Sequence, residues 1–248
     1  MTYCIAINVN DGIVFASDSR SNAGVDYIRT CSKMHRFAWP GDRIIVLLSA
    51  GNLATTQAVV NAIQGDLDNP KAKFNLLKAR HLFDIADYIG DLSQREQHHH
   101  GPAVEKSGGS AAASFILGGQ VRDCSHDIYL IYPEGNYISA SAETPYLQIG
   151  ENKYGKPILD RVITLESSLD EAARCALVSL DSTMRSNISV GPPFELSMYH
   201  SNSLETPRHL SFKLASPYYK SLQKSWNDGL KRAFGRLPKF DWESEKRG

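Results

Sequence analysis

The chain has 248 residues, 42% of them apolar, and its 27 Lys and Arg residues balance 27 Asp and Glu residues. This length allows one large domain or two small ones around a sizeable core. The balanced charge argues against recruitment by nucleic acid or by an anionic membrane surface. The sequence contains no apolar run of about 18 to 20 residues and no signal-peptide pattern, so we expect a cytoplasmic protein. Its four cysteines lack CxxC pairing, which favours reduced thiols.

Thr2 follows Met1 directly and precedes a short run of apolar and β-branched residues over 3–9. Such a run predicts a buried first strand, which would hold Thr2 at its exposed tip. Loss of Met1 would place a hydroxyl and a free α-amine on the same residue. These two groups are half of a nucleophilic active site.

The predicted elements come in two blocks of strands, each followed by helices. Asp11 and Gly12 predict the turn of the first hairpin, and the polar residues 93–110, with Gly-Pro and Gly-Gly, predict a loop. The order predicts an α+β fold over residues 2–215, a four-layer αββα sandwich of two facing sheets with helices outside. Strands are predicted at 3–9, 13–17, 34–38, 43–49, 112–118, 127–132, 137–140, 146–149, 194–200 and 208–214, and helices at 53–67, 74–94, 154–163 and 169–186.

The last part of the chain, residues 216–248, predicts an amphipathic helix and a tail. Its apolar residues recur every four positions and are interleaved with Lys and Arg: Leu222, Trp226, Leu230 and Phe234. We expect this stripe to pack on its own domain or on a neighbouring subunit. Membrane binding is the less favoured interpretation, because acidic residues dilute the basic face.

Asp18 follows the second predicted strand, and Lys33 precedes the next one. A threonine hydroxyl needs a base, and the α-amine of the same residue, with an ordinary pKa of about 7.7 to 8.0, can supply it. Lys33, kept charged by Asp18, would favour the neutral amine through like-charge repulsion. The alternative is an ordinary surface ion pair, worth at most about 1 kcal/mol.

At this point the chain resembles a known family. Residues 16–26 have the sequence Ala-Ser-Asp-Ser-Arg-Ser-Asn-Ala-Gly-Val-Asp. Lys33 is the first residue of a Lys-Met-His sequence at the start of the next predicted strand. With Thr2 and the Asp-Gly hairpin, these motifs resemble the proteasome β-subunit family of N-terminal-nucleophile hydrolases. The order and spacing match over roughly the first 55 residues, and the element order is compatible over most of the rest. The Met-Thr-Tyr-Cys start, residues 150–157 and the C-terminal extension are similar to the bacterial Anbu branch, also called the bacterial proteasome homologue, rather than to the HslV peptidase.

The resemblance implies roles for particular residues. Thr2 would be the nucleophile, with Asp18 and Lys33 beside it. A glycine turn after a buried strand can supply the N–H donors that an oxyanion needs. The family resemblance assigns this function to Gly51, with Ala50 as the alternative in register; Ser49 and Leu48 would then lie near the pocket for the substrate side chain.

Two departures from the family pattern bear on activity. Where active relatives have a Gly-Ser-Gly turn, this chain has Gly-Glu-Asn with Glu151 at the centre. Ser186 replaces an aspartate in the Arg-Asp-x-x-Ser-Gly turn, whereas Ser189 matches. A carboxylate at Glu151 near the α-amine would favour the protonated, non-basic amine unless Lys33 or Arg20 neutralises it. Strong general peptidase activity is therefore in question.

Three adjacent histidines, His98, His99 and His100, raise the possibility of a metal site. Adjacent residues in a polar loop cannot easily present all three rings to one ion, and no Cys or second histidine pair lies nearby in sequence. We expect a solvated loop, and we expect neither a metal nor another cofactor.

Three functional hypotheses remain open at this level. The first is a threonine hydrolase of peptide or amide bonds inside a homo-oligomer, either a closed ring or an open spiral. The second is an amidase of narrow specificity, and the third is a scaffold subunit that lacks activity. The sequence does not identify the natural substrate or an ATPase unfoldase partner, and the fold alone does not choose between the three.

Overall fold

The computed structural model describes residues 2–22 and 28–242. Met1, residues 23–27 of the string shared with the family, and residues 243–248 of the predicted tail lie outside the described residues. The described strands are β1 (Tyr3–Val9), β2 (Gly12–Ser17), β3 (Arg20–Asn22), β4 (Ile28–Thr30), β5 (Met34–Trp39), β6 (Arg43–Gly51), β7 (Ala113–Val121), β8 (Asp127–Ile131), β9 (Tyr137–Ser139), β10 (Tyr146–Gly150), β11 (Phe194–His200) and β12 (Arg208–Phe212). The described helices are α1 (Leu53–Asp68), α2 (Leu82–Lys106), α3 (Lys156–Val162), α4 (Leu169–Ser186) and α5 (Pro217–Gly235).

Two antiparallel five-stranded sheets form the centre of the protein. The first has the strand order β10-β1-β2-β11-β12, and the second has the order β5-β6-β7-β8-β9. Strands β3 and β4 form a separate two-stranded ribbon that the sequence did not predict. Because β1 is an interior strand of the first sheet, its N-terminal end is held by a strand on each side.

Alternation along β1 shows how the layers are built. Tyr3, Ile5 and Ile7 pack into a core shared with α3 and α4, whereas Cys4 and Ala6 pack into the core between the two sheets. Successive side chains of a strand point to opposite faces, so one strand contributes to two layers. Each large apolar side chain buried in this way contributes about 1.5 to 3 kcal/mol.

The second sheet repeats the arrangement. Leu47 and Phe115 face a core with α1 and α2, while Val46 and Ile116 face the first sheet. Three cores therefore separate four layers of helix, sheet, sheet and helix. The predicted α+β αββα sandwich is confirmed.

The first hairpin turns one residue earlier than predicted. Val9 pairs with Gly12, so the turn is formed by Asn10 and Asp11, and Gly12 is the first residue of β2. A Cβ on Gly12 would lie 1.9 Å from the carbonyl oxygen of Tyr199 in the neighbouring strand β11. Glycine is needed here because another backbone approaches so closely.

Helix α2 differs most from its prediction. It begins at Leu82 rather than at residue 74, because Asp84 accepts the N–H of His81 and starts the helix there. It then continues to Lys106 through the segment 93–110 that was predicted as a loop, with Pro102 inside it. Ser93 is buried, and the side chains of Gln94 and Gln97 donate to the carbonyl oxygens of Glu134 and Pro133 between β8 and β9, so the helix continues past residue 93 although Gly and Pro indicated a break.

Helix α5 is anchored on α4 at its start and exposed further along. Tyr219 is buried, and its hydroxyl donates to Asp181 of α4 at 2.9 Å. Leu222 packs against the core between the first sheet and helices α3 and α4, whereas Leu230 and Phe234 are exposed. Among the described helices, none is both long and apolar enough to cross a membrane.

Candidate active site

Thr2 lies at the beginning of β1 and is half-buried. Its carbonyl oxygen accepts a hydrogen bond from the N–H of Glu151 at 2.7 Å, and the next residue, Tyr3, pairs with Gly150. Strand β10 and the turn after it therefore hold the backbone of Thr2. The tip of the strand is fixed in position, as the sequence predicted for a buried first strand.

Gly150 permits this close approach. Its φ is +84°, in the left-handed region, and a Cβ there would lie 1.9 Å from the carbonyl oxygen of Thr2. No other residue type fits both the backbone conformation and the space. The glycine that begins the Gly-Glu-Asn turn is thus required by the position of Thr2.

Asp18 is fully buried directly after β2. Its Oδ1 accepts from the N–H of Tyr3 at 3.0 Å and from Lys33 Nζ at 2.5 Å. Its Oδ2 accepts from the N–H groups of Arg20 and Gly191, both at 3.2 Å. Burial raises the pKa of the Asp18 carboxyl above its ordinary value, and the charge of Lys33 and these hydrogen bonds oppose that shift.

Lys33 is also buried, with 6% of its surface exposed. Its Nζ donates to Asp18 and to the carbonyl oxygen of Arg20 at 2.7 Å. Since neither charged group reaches solvent freely, the alternative of an ordinary surface ion pair does not hold. A buried pair of this kind is stable only while both partners are present.

The side chain of Arg20 is hydrogen-bonded to the turn before β11. Its Nη1 donates to the carbonyl oxygen of Ile188 at 2.6 Å, and a Cβ on Gly191 would lie 2.4 Å from the centre of its guanidinium group. The side chain of Arg20 thus contacts the turn over residues 188–191, which supplies an N–H to Asp18. The sequence offers Arg20 as a residue that could neutralise Glu151. Among the described ion pairs there is none between Arg20 and Glu151.

The side chain of Glu151 is engaged by its neighbours. Its Oε2 accepts from Asn187 Nδ2 at 3.0 Å, and its Oε1 accepts from the N–H of Lys153 at 3.3 Å. Ser189 donates its backbone N–H to Asn187 Oδ1 at 2.9 Å, and Ser186, at the end of α4, is exposed. The structure therefore brings Glu151 and Ser189 together through Asn187, and it leaves Ser186 at the surface.

Gly51, Ala50 and Ser49 form the end of β6. Gly51 has a φ of +107°, and a Cβ there would lie 2.3 Å from the carbonyl oxygen of Ala112, so this position also requires glycine. Ala50 and Gly51 line a cleft of about 510 Å³ together with Gly150, the residue that contacts Thr2. Ser49 does not line it; its N–H donates to the carbonyl oxygen of Lys33 at 3.0 Å.

The three histidines lie outside this site. His98, His99 and His100 belong to α2, so their prediction as a loop is wrong. The rings of His99 and His100 contact each other edge to face with their centroids 4.4 Å apart, whereas His98 Nδ1 lies 2.9 Å from the carbonyl oxygen of Gln94. No group of His, Cys, Asp or Glu suited to a metal ion occurs among the described residues.

The cysteines are all free, and Cys4 is fully buried between the sheets. Burial raises the pKa of its thiol above the usual range, which keeps it in the unreactive protonated form. Its interpretation as a small core residue agrees with this environment.

Sequence reasoning missed three contributors to the site. The N–H groups of Tyr3 and Gly191 donate to Asp18, and Asn187 joins Glu151 to the turn before β11. No motif indicated them, because two act through the backbone. Asn187 directly follows Ser186 in sequence, but the family turn pattern gives that position no role of its own.

The four-layer fold, with a threonine at the tip of a central strand and a buried Asp–Lys pair behind it, defines a proteasome-type member of the N-terminal-nucleophile class. The sequence matches the family described as proteasome subunit over residues 2–198, and the chain belongs to this family.

Solved structures of Anbu proteins are similar over almost the whole chain. Anbu (ancestral beta-subunit) from Yersinia bercovieri is 41% identical, with 96% of this chain and 98% of that chain covered and a TM-score of 0.89. The helical assembly of the Anbu complex from Pseudomonas aeruginosa is also 41% identical, covers the same shares and has a TM-score of 0.90. Anbu from Hyphomicrobium sp. strain MC1 is 41% identical, with shares of 96% and 99% and a TM-score of 0.86. No curated protein matches the chain.

Proposed function

We propose that the protein is a proteasome-type threonine hydrolase of peptide or other amide bonds, with Thr2 as the nucleophile after loss of Met1. One observation carries the proposal. The N–H of Tyr3, the residue bonded to Thr2, donates to Asp18, and the same carboxylate oxygen accepts from buried Lys33. Strand tip, carboxylate and ammonium are thereby held in one hydrogen-bonded unit.

The reaction follows from the groups at the strand tip. The neutral α-amine of Thr2 takes the proton of the Thr2 hydroxyl as its oxygen attacks the substrate carbonyl carbon. The N–H of Gly51 stabilises the oxyanion that forms. When the intermediate collapses, the C–N bond breaks, the leaving amine takes the proton, and an ester links the acyl group to Thr2. Water then attacks the ester as the α-amine takes its proton, the bond between the acyl carbon and the Thr2 oxygen breaks, and the acyl group leaves as a carboxylic acid while the proton returns to the Thr2 oxygen.

Lys33 supports the chemistry through its charge. An ammonium group near the α-amine favours the neutral, basic form of that amine. Asp18 keeps Lys33 in place, since their distance is 2.5 Å and both side chains are buried. We assign no proton transfer to Asp18.

The active form is proposed to be a homo-oligomer. A relative from Pseudomonas aeruginosa forms a helical assembly, and the end of α5 in this chain exposes Leu230 and Phe234. Exposed apolar side chains on one helix are suited to a subunit contact. If this contact joins different surfaces of neighbouring subunits, the assembly is a closed ring when the rotation from one subunit to the next closes on itself, and an open spiral when it does not.

A second candidate is a catalytically weak or narrowly specific subunit of the same fold. Glu151 stands where active relatives have a serine, and Ser186, which replaces an aspartate, is exposed. These departures favour an amidase of narrow specificity or a scaffold over a general peptidase.

Covalent trapping separates the candidates. A peptide epoxyketone forms a ring that uses both the hydroxyl and the amine of an N-terminal threonine. We expect mass spectrometry of the labelled protein to locate this adduct on Thr2. Complete lack of labelling, in protein confirmed to begin at Thr2, would support the scaffold.

A further inference from the structure

Glu151 and Asn187 connect the two backbone segments that meet at Thr2 and Asp18. Glu151 lies in the turn after β10, and its N–H donates to the carbonyl oxygen of Thr2 at 2.7 Å. Asn187 lies at the C-terminal end of α4, where its own N–H donates to Thr183 of the last helical turn at 2.8 Å. The side chains meet at 3.0 Å between Asn187 Nδ2 and Glu151 Oε2.

Asn187 also shapes the turn that leads to β11. Its Oδ1 accepts the N–H of Ser189 at 2.9 Å, and its carbonyl oxygen accepts the N–H of Val190 at 3.1 Å. The following residue, Gly191, donates its N–H to Asp18 Oδ2 at 3.2 Å. An unbroken series of hydrogen bonds and short backbone segments therefore runs from the carbonyl of Thr2 to the carboxylate of Asp18.

We propose that Glu151 and Asn187 are a positioning pair, which sets the place of Thr2 relative to Asp18 and Lys33. The proposal rests on the proposed hydrolase function. It differs from the effect expected from sequence, in which the Glu151 carboxylate acts by its charge on the α-amine. The hydrogen bonds favour positioning, because Asn187 and the N–H of Lys153 each take one carboxylate oxygen.

Two single variants separate position from charge. Asn187→Ala removes the bridge and leaves the carboxylate, so the limiting rate of epoxyketone labelling should fall about 10- to 100-fold, since misplacing a reacting group costs up to about 100-fold. Glu151→Gln removes the charge and keeps an oxygen that can accept from Asn187, so its rate and pH midpoint should stay close to those of the unaltered protein. A faster rate and a lower pH midpoint in Glu151→Gln would overturn the proposal in favour of the charge effect.

A reciprocal exchange tests the hydrogen bond itself. Asn187→Asp alone brings two carboxylates together and should slow labelling as much as Asn187→Ala. Combined with Glu151→Gln, it restores a donor opposite an acceptor, because the new amide can donate to the new carboxylate while the N–H of Ser189 keeps its acceptor. Recovery to within a few-fold of the starting rate supports the pair, and lack of recovery contradicts it.

Asn75→Ala is the matched control for folding. Asn75 is similarly buried, its Nδ2 donates to the carbonyl oxygen of Asp66 at 3.1 Å, and its Oδ1 accepts the N–H groups of Leu77 and Lys78. Like Asn187, Asn75 shapes a turn, but this turn lies between helices α1 and α2. We expect it to lower the melting temperature without changing the labelling rate of the folded protein.

A second measurement, hydrogen–deuterium exchange, does not depend on the reactivity of Thr2. Hydrogen–deuterium exchange in Asn187→Ala should become faster at the amides of Glu151 and Gly191 together, and Asn75→Ala should leave both unchanged. If exchange and labelling in Asn187→Ala match the Asn75→Ala control, the positioning proposal is wrong while the hydrolase stands. In a further outcome, Asn187→Ala speeds exchange at both amides, but unaltered protein that begins at Thr2 is never labelled by the epoxyketone. The hydrolase proposal then fails, and Glu151 and Asn187 only hold the two turns together in a non-catalytic subunit.

Discussion

Lys33 Nζ lies 2.5 Å from Asp18 Oδ1, and both side chains are buried. The same carboxylate oxygen accepts the N–H of Tyr3, so the ion pair is joined to the residue next to Thr2. The position of Lys33 is thus tied to the strand tip, which supports its proposed effect on the α-amine of Thr2.

Lys33→Ala should slow epoxyketone labelling of Thr2 more at about pH 7 than at about pH 9. A nearby positive charge lowers the pKa of an α-amine, so removing it raises that pKa from a usual value of about 7.7 to 8.0. The neutral fraction then falls near pH 7, whereas near pH 9 most of the amine is neutral in either protein.

The matched control is Lys153→Ala, which changes an exposed lysine in the turn after Glu151. Lys33→Ala also leaves Asp18 buried without its ammonium partner, which costs about 3 to 5 kcal/mol, so rates must be compared for the folded fraction only. Equal labelling of Lys33→Ala and the unaltered protein across this pH range would refute the role of Lys33.

Mature protein should begin at Thr2, and intact-mass measurement checks this directly. A retained Met1 would turn the nitrogen of Thr2 into an amide, which is not basic. Thr2→Ala should abolish the epoxyketone adduct, and Thr2→Ser should keep part of it. The serine retains hydroxyl and amine but loses the methyl group that restricts the side-chain rotamer.

Gly150→Ala should both destabilise the protein and slow labelling of Thr2. Alanine at a positive φ costs about 1 to 2 kcal/mol, and at this position its Cβ would also lie 1.9 Å from the carbonyl oxygen of Thr2. The backbone at the strand tip must move to relieve that contact. Thermal unfolding and the labelling rate measure the two effects.

Gly108→Ala provides the comparison for Gly150→Ala. Gly108 has a φ of +77°, close to that of Gly150, but a Cβ there meets no atom within 4 Å. This variant carries the backbone strain alone and should label normally. Similar losses of labelling in both variants would mean that the contact with Thr2 has no special part.

Assembly should depend on the exposed half of α5. Phe234→Asp places a charge where 76% of the phenylalanine is exposed, so it should disrupt a subunit contact without disturbing the fold. Removal of residues 230–248, which keeps the buried Tyr219 and its bond to Asp181, should weaken assembly further. Sedimentation velocity measures the oligomer, and Ser221→Asp, at another exposed position of α5, is the control. A stable monomer at micromolar concentration for the unaltered protein would contradict a compartment built from subunits.

Some parts of the fold were predictable because local patterns specify them. The run of apolar and β-branched residues over 3–9 predicted β1 at its observed bounds, and the helix predicted at 169–186 agrees with α4. Helix α2 was predicted poorly, because Gly101 and Pro102 indicated a break, whereas the helix continues through both to Lys106. The first turn was misplaced by one residue, since the need for glycine at Gly12 comes from Tyr199 of a distant strand.

The sequence by itself determined the class of fold and the order Thr2, Asp18, Lys33, because strand periodicity and short spacings are local properties. Only the tertiary structure decided what holds these groups in place. The N–H that Gly191 donates to Asp18 comes from 173 residues away, and the bond between Asn187 and Glu151 spans 36 residues. Such contacts depend on the register of paired strands and on the shapes of two turns. These are set by how the whole chain packs, and no local pattern of residues encodes them.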